Sequence, residues 1–247
     1  MSLMGRHCLV TGAAGDIGAA TIARMIAGGA KVTAVDRSAE GLAHLESTHG
    51  TALLACQADV TSEDDARRYA AAAVQAHGPV HVFFANAGVE GDGAPIVSYD
   101  TARFQQVMAV NALGVFLGIK HVAPRMADGG SIVVTSSVAG LRGSSNMSAY
   151  IASKHAALGL ARAAAAELAP RGIRVNAIHP TAVEGRMMES IAANLGSGQR
   201  QKMTSSIALG RYLEPDEVAA LVMFLAGDDS RMITGASLPI DGGGASR

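Results

Sequence analysis

Cys8-Leu9-Val10-Thr11-Gly12-Ala13-Ala14-Gly15-Asp16-Ile17-Gly18 is a short apolar run that breaks into a glycine-rich turn. Ala19 to Ala27 follows with a helical pattern, and after Gly28-Gly29 the chain enters a second apolar run, Lys31-Val32-Thr33-Ala34-Val35, that stops at Asp36. Strand, glycine turn, helix and strand in this order make a compact unit in which the two strands must lie parallel, because the helix carries the chain back to the starting edge. Glycines let the backbone approach a diphosphate, and the first turn of a helix supplies unpaired N–H groups for it. Gly12, Gly15, Asp16, Ile17 and Gly18 are therefore candidate cofactor residues. Asp36, 24 positions after Gly12, is placed to accept hydrogen bonds from a ribose diol. Its charge would repel a 2′-phosphate, which favours NAD over NADP, although Arg37 beside it carries a guanidinium able to bind that phosphate.

The same alternation runs through the rest of the chain. A helical segment near Ser38 to His49 leads to an apolar run Leu53 to Cys56, then to Asp59-Val60. Thr61-Ser62-Glu63-Asp64 has the hydroxyls and acids of a helix start, and that helix runs towards His77. Val80 to Phe84 reads as a fourth strand ending in Asn86-Ala87-Gly88, followed by a polar loop with Gly91 and Gly93. From Asp100 to about Met126 the apolar residues Phe104, Val107, Val110, Val115 and Ile119 recur at helical spacing, with Asn111 on or beside that face. Ile132 to Thr135 forms a fifth strand ending at Ser136-Ser137, and Ile173 to Ile178 a sixth ending at His179-Pro180. Thr181 to Leu209, rich in Met, Gly and Ser, departs from the rhythm and is expected to act as a substrate lid. A last helix and Leu238-Pro239-Ile240 complete the sheet. The expected fold is α/β, one doubly wound Rossmann-type domain over residues 1–247 with a mostly parallel sheet covered by helices on both faces.

Composition narrows the function. The 247 residues are 49% hydrophobic and 17% charged with a formal net charge of −1, a balance that builds a large core and offers no basic field for nucleic acid or an anionic membrane. Cys8 and Cys56 lie in apolar segments and read as two reduced core thiols rather than as a disulfide or a metal site. The first seven residues lack the charged start, apolar segment and cleavage site of a signal peptide. The longest apolar stretches are interrupted before about 20 residues, so no membrane anchor is expected and the cytoplasm is the expected compartment.

In open parallel sheets ligands bind beyond the carboxyl ends of the strands, where the polar residues above gather. Tyr150-Ile151-Ala152-Ser153-Lys154 opens the helix after the fifth strand. Four-residue spacing puts the phenol and the ammonium on one face. Alone, such a pair is more often a half-buried aromatic beside a solvated lysine than a chemical site. An ammonium near a phenol would favour the phenolate and make it an acid/base group.

Taken together, Thr11-Gly12 to Gly18, Asp59, Asn86-Ala87-Gly88, Asn111, Ser137, Tyr150 with Lys154, and the closing Asp241-Gly242-Gly243 resemble the short-chain dehydrogenase/reductases over essentially the whole chain. The resemblance implies that Tyr150 exchanges the substrate proton, that Lys154 binds the nicotinamide ribose and lowers the tyrosine pKa, and that Ser137 hydrogen-bonds the substrate oxygen. It implies that Asn111 holds a water in a proton relay, that Asp59-Val60 meets the adenine, and that Asn86-Ala87-Gly88 with Pro180 and Val183 lines the cofactor. It further implies a small-molecule substrate and a homotetramer built on the long helices. Gly93 to Met108 and Gly140 to Tyr150 look most like dehydrogenases of cyclic alcohols, diols and sugar alcohols. A 3-oxoacyl carrier-protein reductase using NADPH shares the motifs, and a non-catalytic dinucleotide-binding sensor is the reading from another class.

Three positions depart from the family pattern. Asp16 stands where a glycine is usual, Thr181 follows Pro180 in place of glycine, and Gly185 replaces a threonine that often touches the nicotinamide carboxamide. A carboxylate near a diphosphate is unfavourable unless Asp16 turns away. His179 is expected to pack at its strand end, and Met147, Met187 and Met188 to form an apolar, adaptable pocket.

Overall fold

The computed structural model describes residues 2–195 and 199–244. Seven strands form one sheet in the order β3-β2-β1-β4-β5-β6-β7, where β1 is His7–Thr11, β2 Lys31–Asp36, β3 Leu53–Gln57, β4 Val80–Ala85, β5 Met126–Thr135, β6 Arg174–Pro180 and β7 Ser237–Ile240. Every pairing is parallel. The helices are α1 Asp16–Ala27, α2 Ala39–His49, α3 Glu63–His77, α4 Thr101–Met108, α5 Gly114–Val122, α6 Ser148–Leu168, α7 Arg186–Leu195, α8 Gln199–Ser205 and α9 Pro215–Ala226.

Both faces of the sheet are buried, so its strands are apolar throughout rather than alternating. In β1, Leu9 joins a core formed with Tyr69 of α3, Val115 of α5 and Ala157 of α6, while Cys8 and Val10 join the opposite core with Ile22 of α1, Leu45 of α2 and Val222 of α9. Both cysteines are free and buried, as their apolar context required, and desolvation pushes the Cys8 thiol up to about 12.

The expected elements are present with shifted ends. Helix α1 starts at Asp16 rather than Ala19, because Gly15 in extended backbone caps it and the acidic residue suits the first turn. Strand β5 begins at Met126, six residues ahead of Ile132, and shifts register between its pairs at Val80 and Val82 of β4. A π-helical turn, Ala109–Leu113, interrupts the long helix and carries Asn111. By length and composition Thr101–Arg125 would cross a bilayer, which runs against the reading that no apolar stretch reaches that length. Here it is a packed helix: Val107, Val115, Leu117 and Val122 are buried, and a Cβ on Gly118 would lie 2.7 Å from the Phe83 ring.

Strand order reverses between β1 and β4. Connections leaving β1 run to one side of the sheet and those leaving β4 to the other, so a crevice opens beyond the carboxyl ends of these two strands.

Candidate active site

The turn after β1 is shaped by two glycines. Gly12 has φ +65° and passes so close to the strand beside it that a Cβ would lie 2.8 Å from Ala87 Cα; a Cβ on Gly18 would lie 2.2 Å from Gly12 O. Gly15 caps α1 with no side-chain hydrogen bond, which leaves the N–H groups of the first helical turn facing the crevice. This bare backbone cradle fits a diphosphate.

Neighbouring strand ends hold the turn in place. Thr11 Oγ1 accepts the N–H groups of Asn86 (3.1 Å) and Ala87 (3.4 Å), while Asn86 Nδ2 donates to Gly12 O (3.2 Å) and its Oδ1 accepts from Thr135 Oγ1 (3.0 Å). Asn86 thus pins together the ends of β1, β4 and β5. At the end of β2, Asp36 accepts from Ala14 N (3.0 Å) with one carboxylate oxygen and from Ser38 N (3.0 Å) with the other. Each oxygen keeps a lone pair for a diol. Arg37 is exposed, and its guanidinium meets no carboxylate among the described residues. Asp59 Oδ1 accepts from the backbone and hydroxyl of Thr61 (2.8 Å each), and Val60 packs against Gly114 in the long helix. Asp36, Arg37, Asp59 and Val60 do not line the cavity that holds Ser137, Tyr150 and Lys154.

That cavity, of about 380 Å³, is lined by Gly12, Asn86, Gly88, Ser137, Tyr150 and Lys154, among others. The three chemistry-bearing side chains come from two segments. Ser137 follows β5; its hydroxyl accepts Ala139 N–H (3.1 Å) and donates towards Pro180 O (3.4 Å). Tyr150 and Lys154 lie in the first two turns of α6, where Lys154 is 4% exposed and its Nζ donates to Thr135 O (3.1 Å). Gly88 keeps this corner open, since a Cβ there would lie 3.3 Å from both Lys154 Nζ and Asn111 Oδ1.

Burial sets the proton affinities. Desolvation lowers the Lys154 ammonium to about 8. It also raises the Tyr150 phenol, against a downward pull from the Ser137 hydrogen bond, and the charge of Glu90 adds to the rise. The ammonium stands over the ring, 5.5 Å from its centroid, and desolvation of the hydroxyl dominates.

Asn111 lies at the same corner. Its side chain is 1% exposed and fully engaged: Oδ1 accepts Val89 N (2.8 Å), and Nδ2 donates to Val89 O (2.8 Å) and Ser153 Oγ (3.0 Å). It therefore clamps the loop after β4 onto α6, and a water in the relay would have to use its backbone. His179 packs at its strand end as expected and also braces the site, with Nδ1 2.7 Å from Ser137 O and Nε2 2.8 Å from Ser237 Oγ.

The sequence reading missed several residues. Glu90 and Arg142 line the cavity, as does Met203 alongside the expected Met147, Met187 and Met188. Glu90 lies two residues past Asn86-Ala87-Gly88, where no spacing singles out a carboxylate. Thr135, a strand end in the sequence, reaches Asn86 through its hydroxyl. Pro180, Thr181 and Val183 line the cavity, and Thr181 N donates to Ile240 O (3.1 Å), so threonine fits where glycine is usual.

A doubly wound sheet whose crevice joins a phosphate cradle to a serine, a tyrosine and a buried lysine defines an oxidoreductase of alcohols and carbonyls. Residues 12–245 match the family described as enoyl-(acyl carrier protein) reductase. The chain is 39% identical to levodione reductase of Leifsonia aquatica over 96% of this chain and 93% of that one, and 37% identical to (+)-borneol dehydrogenase 2 of Salvia officinalis over 98% and 90%. Its fold superposes on the crystal structure of NAD+-bound xylitol dehydrogenase with a TM-score of 0.93, at 36% identity, covering 98% of this chain and 100% of that one. The chain belongs to the short-chain dehydrogenase/reductase family.

Proposed function

We propose that this enzyme uses NAD to interconvert a secondary alcohol, of the cyclic alcohol, diol or polyol type, with its ketone. The observation that carries the proposal is the convergence of Ser137, Tyr150 and Lys154 on one cavity that also reaches Gly12 of the phosphate turn. In this reading Ser137 holds the substrate oxygen and Tyr150, as phenolate, takes its proton. Lys154 presents its ammonium to the ribose beside the phenol. Bound NAD would supply the hydride chemistry, as acceptor in alcohol oxidation and, in reduced form, as donor in ketone reduction. For ketone reduction Tyr150 returns the proton. The diphosphate would rest on the first turn of α1, and Asp36 would take the adenosine ribose hydroxyls.

Asp36 favours NAD, since its carboxylate would meet a 2′-phosphate with like charge. The NAD+-bound xylitol dehydrogenase and the cyclic substrates in the names of the two relatives support the cofactor and the substrate class. Methionines at positions 147, 187, 188 and 203 give the substrate end an apolar wall that adapts to ring-shaped substrates. Secondary alcohols screened with NAD and NADP in parallel, following reduced-nicotinamide absorbance, should give kcat/KM at least about tenfold higher with NAD. Turnover with NADP alone would overturn the cofactor assignment, and none with either would favour a dinucleotide sensor.

The assembly is proposed to be a homotetramer. Leu113 and Phe116 leave 43% and 44% of their surface open on the long helix that otherwise packs into the core, and a second copy would cover them. Light scattering should give a mass near four times 25.1 kDa; a monomer would overturn this.

A further inference from the structure

Asp16, the first residue of α1, lines the cavity beside the cradle. A carboxylate there would repel a diphosphate unless its charge is taken up elsewhere. It is taken up by the lid. Asp16 Oδ2 accepts the backbone N–H of Arg186 at 3.0 Å, Arg186 Nε lies 3.9 Å from Oδ1, and Arg186 Nη2 donates to Ala14 O at 2.6 Å. Arg186 opens α7, so these contacts join the glycine turn to the first helix of the 181–209 segment. The carboxylate also sits where an anion suits a helix N-terminus.

Gly185 makes the approach possible. Its φ is +132°, and a Cβ would lie 2.3 Å from Asp16 Oδ2. Any side chain at 185 would push the carboxylate back towards the cradle. The pair is solvent-accessible, with side chains 37% and 69% exposed for Asp16 and Arg186. It therefore adds little to folding stability, and its effect is on position and local charge.

We infer that Asp16 and Arg186 act as one positioning unit of the dinucleotide site. Arg186 neutralises Asp16 beside the diphosphate, and Asp16 seats the lid helix on the glycine turn, so dinucleotide binding and lid position are coupled. The inference rests on the dinucleotide reading of the cradle. Neither residue touches the reacting atoms.

The test compares wild-type full-length enzyme with D16A, R186A and D16A/R186A. NADH binding is followed by fluorescence titration, and the lid by Glu-C cleavage at Glu189, an exposed residue of α7. R186A should weaken NADH binding by about tenfold, because it leaves an unneutralised carboxylate beside the diphosphate. D16A should weaken it by less, and the double variant should bind at least about threefold more tightly than R186A alone, a non-additivity expected of directly interacting groups. NADH should slow cleavage at Glu189 in the wild type and much less in D16A. Additive losses in the double variant, or equal protection of Glu189 in D16A, would overturn the coupling while leaving the dinucleotide site intact. A wild type that binds no dinucleotide would overturn both.

Discussion

Y150F lowers kcat for alcohol oxidation by about 10²–10⁴-fold, the range for losing a positioned general acid/base, and leaves NADH affinity within about threefold of wild type. The substitution removes one hydroxyl and keeps the ring, so the partly buried side chain still fills its place in the first turn of α6. What disappears is the group that takes the alcohol proton; Ser137, the other hydroxyl at this corner, holds the substrate oxygen in this reading and does not replace it. Burial raises the Tyr150 phenol, so the phenolate needed for oxidation becomes more abundant as pH rises. Wild-type oxidation should accelerate with pH through the alkaline range, and Y150F should lose that limb along with its rate. Steady-state kinetics across pH, paired with NADH titration, decide the matter. A variant that keeps a tenth or more of wild-type kcat would remove Tyr150 from the role.

Sequence made the scaffold legible because each element carries its own local physics. The Gly12 to Gly18 turn, the apolar strands and the polar residues at their carboxyl ends are set by backbone freedom and burial, and these act over a few positions. The Tyr150 and Lys154 spacing was equally local. Contacts between distant segments could not be read. Asn111 holds Val89 and Ser153 because a π-helical turn aims its side chain there, and nothing in Ala109–Leu113 announces that turn. Asp16 and Gly185 looked like two separate departures, yet the structure makes them complementary: 169 positions apart in sequence, they share a contact that leaves no room for a Cβ. The net upward shift at Tyr150 is illegible in the sequence for the same reason. Charge proximity follows from helical spacing, whereas desolvation depends on what the whole fold places over the hydroxyl.

K154M should be more stable than wild type and nearly inactive. Lys154 is 4% exposed, and its ammonium is drawn from 10.5 down to about 8 by burial alone. At about 1.4 kcal/mol per pKa unit, holding that charge costs the folded protein about 3 kcal/mol at pH 7. The sign follows from proton counting: between pH 8 and 10.5 the unfolded lysine keeps a proton that the folded one releases, so wild-type stability from this group rises with pH across the window and its cost is full below it. Methionine has similar length without charge. It forfeits the hydrogen bond to Thr135 O, worth about 1–2 kcal/mol if that buried acceptor stays unpaired. Denaturant unfolding at pH 7 should therefore find K154M more stable by about 1–2 kcal/mol, with the gain shrinking as pH rises past 8. Oxidation should fall by about 10² or more, because no ammonium remains to hold the ribose beside the phenol. A K154M less stable than wild type at pH 7 would mean that Thr135 and its surroundings already compensate the buried charge. The predicted gain would instead identify Lys154 as a residue whose desolvation the fold tolerates for its chemistry, since a neutral side chain of the same length satisfies the packing better.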